Sequence, residues 1–155
     1  MSDTALYLDQ FLALSAALLD VDVLVLKPRN TPLDIAEQYL YTLLDSVPSE
    51  TVHGLFAAFV AGSETVGPHE AAGQILGDSD LGPVARSVMK LWLLSTWYDP
   101  GKPNQPVRVV SSQAYKEGLV WKFMQSHPIG YSMWKFGYWA ENPPDLNEFV
   151  PPPAK

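Results

Sequence analysis

The chain has no cysteine. Disulfides, thiolate metal sites and cysteine nucleophiles are excluded together. Charge is scarce, with Asp, Glu, Lys and Arg making up 17% of 155 residues, and bases are the scarcer sign, 10 Lys and Arg against 17 Asp and Glu. A net charge of −7 disfavours nucleic acid, which is met by a basic footprint, and an anionic membrane surface, which attracts basic segments. No apolar run approaches the roughly 18 residues of a membrane span. The opening MSDTALYLDQ has acids and no base ahead of its apolar stretch, so as written it does not read as a secretory signal. No G-x-G-x-x-G, Walker loop or G-x-S-x-G elbow occurs, so no nucleotide cradle or hydrolase elbow is indicated. The three histidines, His53, His69 and His127, lack the i, i+4 spacing of a helical metal pair. The close acids Asp78/Asp80 and Asp20/Asp22 read as turn and cap residues.

What is present is a globular composition, 47% hydrophobic and 12% aromatic. The length gives one domain with a core that needs no staples. The charge is unevenly placed. Residues 1–85 hold twelve acids and two bases (net −10), and residues 86–155 hold five acids and eight bases (net +3). A partner that reads two surfaces of opposite sign would exploit that split.

Hydrophobic periodicity predicts helices. Thr4–Asp20 carries Leu8, Phe11, Leu12, Ser15 and Leu19 at helical spacing, with Leu14 and Leu18 widening the stripe. Val21–Leu26 reads as a brief strand or an extended connector. Thr31 reads as an N-cap, with Pro32 at the first helical position and Asp34 reaching back to the cap. Ala36, Tyr39, Leu40, Leu43, Leu44 and Val47 then hold one face up to Pro48. Val52, Leu55, Phe56, Phe59 and Val60 define a third helix, closed near Gly62. Pro68–Leu76 is a short helix, followed by a turn at 77–80. Leu81–Tyr98 reads as one long helix whose end, LWLLSTW, is apolar nearly all round and so must be buried or covered. Asp99–Pro106 is a loop and Val107–Val110 a short β-like run. Ser111 or Ser112 caps a last helix through Gln125, with Tyr115, Leu119, Val120 and Phe123 inward. The sum is an all-α single domain of about five helices over 1–126, then a long irregular C-terminal arm over 127–155.

The arm is the least ordinary segment. Tyr131, Trp134, Phe136, Tyr138 and Trp139 fall within nine positions and five prolines follow. Pro and Gly forbid a regular helix there, while the large aromatics need a surface to lie on. Interfaces favour such residues, and a Pro-rich arm loses less entropy on docking. That surface is the chain's own domain or a partner. Stacking on single-stranded nucleic acid conflicts with the acidic balance. Trp97, at the end of the apolar helix, joins the five arm aromatics as a candidate partner-binding residue.

Three blocks of the sequence carry a resemblance: YLDQFLALSAALLD, SDLGPVARSVMKLWLLSTWY and SSQAYKEGLVWKFMQSHPIGYSMWKFGYWAENPP. They resemble the small subunit of membrane-bound, FAD-dependent sorbitol and fructose dehydrogenases. The likeness covers most of the chain and is sharpest from Arg86 to Pro144. Its most specific string is Ala114-Tyr115, then Gly118-Leu119-Val120-Trp121-Lys122, His127-Pro128 and Phe136-Gly137-Tyr138-Trp139-Ala140.

The resemblance implies a non-catalytic accessory subunit with no cofactor of its own. Its partner would be a flavoprotein large subunit of the glucose–methanol–choline type, which holds the FAD and oxidises a sugar or sugar alcohol. A multihaem cytochrome c subunit then takes the electrons. Such small subunits support maturation of the flavoprotein and often carry a twin-arginine signal. The family implies the periplasmic side of the inner membrane; no Arg-Arg pair opens this sequence, which leaves the cytoplasm open as well. Two other readings compete. One is a stand-alone helical enzyme or small-ligand protein with a pocket lined by Trp92, Trp97 and Trp121. The other is a general export or assembly chaperone.

Overall fold

The computed structural model describes residues 3–27, 34–131, 140–142 and 145–150. Helix α1 spans Asp3–Leu19 and buries Phe11, Leu12, Leu14, Ser15 and Leu18, the i, i+3, i+4, i+7 stripe expected of a core-facing helix. It ends at Asp20, which takes a left-handed φ of 53°, and the Val21 amide bonds back to Ala16. The run after it is not a strand. Val23–Leu26 forms a 3-10 turn, because the Asp22 carboxylate accepts the Leu24 amide at 2.8 Å and the run folds Val25 and Leu26 inward. A β-branched run without a strand partner takes the local alternative that its cap offers.

Helix α2 spans Ile35–Ser46. Its cap is Asp34, whose carboxylate accepts the Glu37 amide at 3.2 Å. Asp34 is therefore the N-cap itself; the Thr31 cap and Pro32 expected from sequence lie outside the described residues. The inward face is Ile35, Ala36, Tyr39, Leu40 and Leu43, while Leu44 faces out. Helix α3, Ser49–Val66, passes through Gly62 rather than stopping there. The glycine is a contact point: a Cβ at Gly62 would sit 2.9 Å from the Ala71 Cβ. Ala71 belongs to α4, Pro68–Gly77, which turns back on α3 at Gly67 (φ 90°). Proline at the first position of α4 costs no hydrogen bond.

Helix α5 spans Leu81–Leu94 and crosses the middle of the core with Val84, Ala85, Val88, Leu91 and Trp92. Asp78 anchors its start, accepting the Asp80 and Leu81 amides at 2.8 Å each. These two bonds hold the Asp78 carboxyl below its usual range.

The expected long helix to Tyr98 ends four residues early. Ser95 is left-handed (φ 56°), and Thr96–Tyr98 is strand β1, antiparallel to β2, Pro106–Val109, with Trp97 opposite Arg108. Ser95 explains the switch. Its hydroxyl receives the Tyr39 hydroxyl at 2.9 Å and donates to the Ala114 carbonyl at 2.5 Å, while its own carbonyl accepts the Val110 amide. Those long-range partners outweigh the local preference to continue the helix.

The expected helix to Gln125 also breaks. Ser111 caps α6, Ser112–Glu117, accepting the Ala114 amide; Gly118 is extended, and α7 covers Leu119–Phe123. Gly118 is there because its backbone lies against Leu93 and Ser95: a Cβ would meet the Ser95 Oγ at 2.9 Å and the Leu93 carbonyl at 3.2 Å. Beyond the described part of the arm, Asp145 caps a four-residue helix, α8 (Leu146–Phe149). Val150 packs against the core, so this part of the arm lies on its own domain.

The fold is all-α with one small two-stranded ribbon. Among the described residues no helix is long and apolar enough to cross a membrane.

Candidate partner-binding surface

The surface is built on α6 and α7. Ala114 and Leu119 are buried and pin the two short helices to the body. The pinning leaves Tyr115 and Trp121 edge-to-face at 5.3 Å, with the Trp121 indole N–H donating to the Tyr115 carbonyl at 2.8 Å. Such a pair locks both rings. After α7, Gln125 adopts φ 51° and the Ser126 amide bonds to the Trp121 carbonyl, turning the chain back. His127 Nδ1 lies 3.0 Å from the Pro128 carbonyl, and the Tyr131 amide donates to that same carbonyl across the turn at Gly130.

That turn delivers Tyr131 beside Tyr115, with centroids 6.3 Å apart, and under Lys116, whose ammonium lies 4.3 Å above the ring. Tyr131 stays 45% exposed. Beside it in sequence, Ile129 is 75% and Met124 63% exposed, with Phe123 also outward. Exposed apolar side chains clustered on one segment mark a contact surface more than scattered ones do.

The other candidates divide. Trp97 is 3% exposed and sits on the inward side of β1, so it is a core residue and offers a partner no surface. Trp92 is buried too, edge-on to Tyr39 at 4.9 Å and stacked with Phe11 at 5.9 Å. Trp134, Phe136, Tyr138 and Trp139 lie outside the described residues. Met124 and Ile129 were not singled out from sequence. Their signal was position: Met124 follows the last turn of α7 and Ile129 sits in a Pro-Ile-Gly turn, where no helical stripe calls for an apolar residue.

The histidines lie apart. His53 stacks on Tyr7 and shares a 2.8 Å hydrogen bond with its hydroxyl, and His69 is 3.8 Å from Asp20. Among the described residues no three His, Asp or Glu side chains gather to hold a metal ion. A shallow groove of about 480 Å³ runs between α1, α3 and α4, lined by Ala13, Ala16, Ala17, Val21, Phe59 and Pro68. The exposed Asp20 and His69 stand on its rim. None of the tryptophans expected around a ligand pocket borders it.

Compared with protein-family models, curated proteins and solved structures, the chain matches none.

Proposed function

We propose that this chain is a non-catalytic accessory subunit that binds a flavoprotein dehydrogenase of the glucose–methanol–choline type. The flavoprotein holds the FAD and oxidises a sugar or sugar alcohol; a multihaem cytochrome c completes the complex on the periplasmic side of the inner membrane. The reading starts from the sequence blocks that resemble such small subunits. One structural observation supports it most: Tyr131, the arm aromatic inside the described residues, is 45% exposed and follows the still more exposed Met124 and Ile129. Trp134, Phe136, Tyr138 and Trp139 extend that apolar set along the chain. Aromatic anchors of this kind carry most of an interface's energy.

The test is co-expression with a flavoprotein subunit encoded in the same genome. A stoichiometric complex is expected, together with loss of mature, FAD-loaded dehydrogenase when the small chain is deleted. Trp134→Ala and Trp139→Ala should weaken the complex more than they lower the isolated chain's melting temperature. No complex, with normal dehydrogenase maturation in the deletion strain, overturns the reading. Weak, reversible binding to an unfolded partner alone points to a general chaperone instead.

A further inference from the structure

We infer that the docking face continues from Tyr131 across α7 onto the β1–β2 ribbon, and that the partner surface it takes is apolar and acidic. The inference rests on the flavoprotein-binding reading and names the chemistry of that contact.

Continuity comes first. The Ser95 hydroxyl bonds to Ala114, and Gly118 lies against Leu93 and Ser95. The end of α5, the ribbon and the α6–α7 break are thereby held as one block. On that block Val107 is 60% and Val109 53% exposed, and Leu94 also faces out. A two-stranded ribbon with outward valines is an adhesive feature that isolated chains generally avoid.

Charge supplies the occupant. Between Arg86 and Tyr131 there are six bases and two acids, a net of +4, in a chain whose first 85 residues carry −10. Three of the bases are engaged within the chain: Arg86 on the Leu76 carbonyl, Lys90 on the Pro103 carbonyl, and Arg108 with Asp45 at 3.5 Å. Lys102, Lys116 and Lys122 make no ion pair with any carboxylate among the described residues. The two acids are themselves occupied, Asp99 by the Gly101 amide and Glu117 by Gln113. Beyond Tyr131 the chain holds three acids and two bases, a net of −1, so the basic stretch runs from the second half of α5 through the ribbon to α6–α7 and ends there. A second copy placed face to face would oppose lysine to lysine. A partner with carboxylates around an apolar patch satisfies both the valines and the ammonium groups of Lys102 and Lys122, while Lys116 already sits over the Tyr131 ring; such complementarity fixes register and raises the association rate.

The full chain and the purified flavoprotein subunit test this by association kinetics. Raising salt from about 50 to about 500 mM should slow association roughly tenfold, because exposed charges are screened over a few ångströms at that strength. The double variant Lys102→Glu/Lys122→Glu should slow it by a similar factor at low salt. Val107→Ser/Val109→Ser should instead speed dissociation. Melting temperatures of the isolated variants control for folding. If the wild-type pair associates but neither salt nor these variants change it, the inference falls and the flavoprotein-binding reading stands. If the wild-type pair does not associate, the reading falls and the inference with it. Self-association of the isolated chain, abolished by the same variants, would assign the face to a second copy and overturn the proposal.

Discussion

The body formed by α1–α5 and the block that follows it solve the same problem in opposite ways. The body is acidic and puts most of its large apolar residues inside: Phe11, Leu43, Leu55, Phe56 and Leu91 are all fully or nearly fully buried, while Tyr41 and Leu24 stay outside singly. The block from Ser95 to Tyr131 is basic, made of short elements, and leaves valines, Met124, Ile129 and Tyr131 outside. Both contain apolar residues in quantity, so composition does not separate them. Element length does. A helix of three or more turns can bury one whole face. Helices of five or six residues joined through Gly118 fully bury one side chain each, Ala114 and Leu119, and leave the others partly or wholly exposed. The body covers most of its apolar surface with its own packing, and the block leaves more of its own exposed.

The sharpest way to break that comparison is to damage the body. Leu43 is fully buried on α2. Leu43→Ala should cost about 2–5 kcal/mol of unfolding free energy, since removed contacts and a residual cavity add. Chemical denaturation monitored by tryptophan fluorescence measures it. A cost below about 1 kcal/mol would mean that the body is not the tightly packed half.

The next test probes the joint between the halves. Burial pushes the Tyr39 hydroxyl up to about 12, partly offset by its bond to Ser95, with the negative charge of Glu117 adding a little. The unfolded group titrates near 10, so its folded value is raised. Stability from this group is therefore complete below about pH 10 and is lost as pH rises through 10 towards 12, up to about 2–3 kcal/mol. Tyr39→Phe removes that titration and the bond to Ser95. The variant should be about 0.5–1.5 kcal/mol less stable than wild type near pH 8. The gap should close and then reverse as pH climbs past 10. Denaturation midpoints of both proteins across pH 8–11.5 check it; parallel curves would show that Tyr39 does not sense the fold.

A smaller effect is expected at the start of α2. Asp34→Ala removes the carboxylate that accepts the Glu37 amide, and the helix should lose about 1 kcal/mol. Asp34→Asn should recover most of it, and thermal unfolding of the two variants side by side reads the difference.

How much of this was legible in the sequence follows the same division. In the body, the stripe from Phe11 to Leu18, the face from Ala36 to Leu43 and the start of α4 at Pro68 all form as their periodicity and caps suggest, because each is decided within one or two turns. The misreadings sit where a distant group decides. Leu81–Tyr98 looked like one helix because Thr96, Trp97 and Tyr98 continue an apolar run; Tyr39 and Ala114, 56 and 19 residues from Ser95, end it there. Gly62 looked like a stop because glycine often ends helices, yet it lies inside α3 where Ala71 needs the space. The helix expected through Gln125 would run across Gly118, and contact with Leu93 and Ser95 makes that glycine a break. Of the candidate site, Tyr131 was legible from the aromatic density of its segment. The burial of Trp97 was not, since a tryptophan ending an apolar run reads the same inside a core or on an interface.

The least costly change to the fold tests the comparison from its other side. Met124 and Ile129 are the most exposed apolar residues of the block, and neither takes part in a hydrogen bond through its side chain. Both side chains are mostly exposed, so the double variant with serine at both positions should unfold within about 0.5 kcal/mol of wild type. Its solubility should rise, because the apolar patch beside Tyr131 shrinks while the Lys116–Tyr131 contact stays. If the block is a docking face, the same two substitutions should weaken capture of the flavoprotein subunit about tenfold or more. The two readouts oppose each other by design: Leu43→Ala should lower stability and leave the contact surface intact, and the serine pair should do the reverse. Should the serine pair instead destabilise the isolated chain by more than about 1 kcal/mol, Met124 and Ile129 would be packing against the chain's own arm. The block would then be a second part of the core rather than a face awaiting a partner.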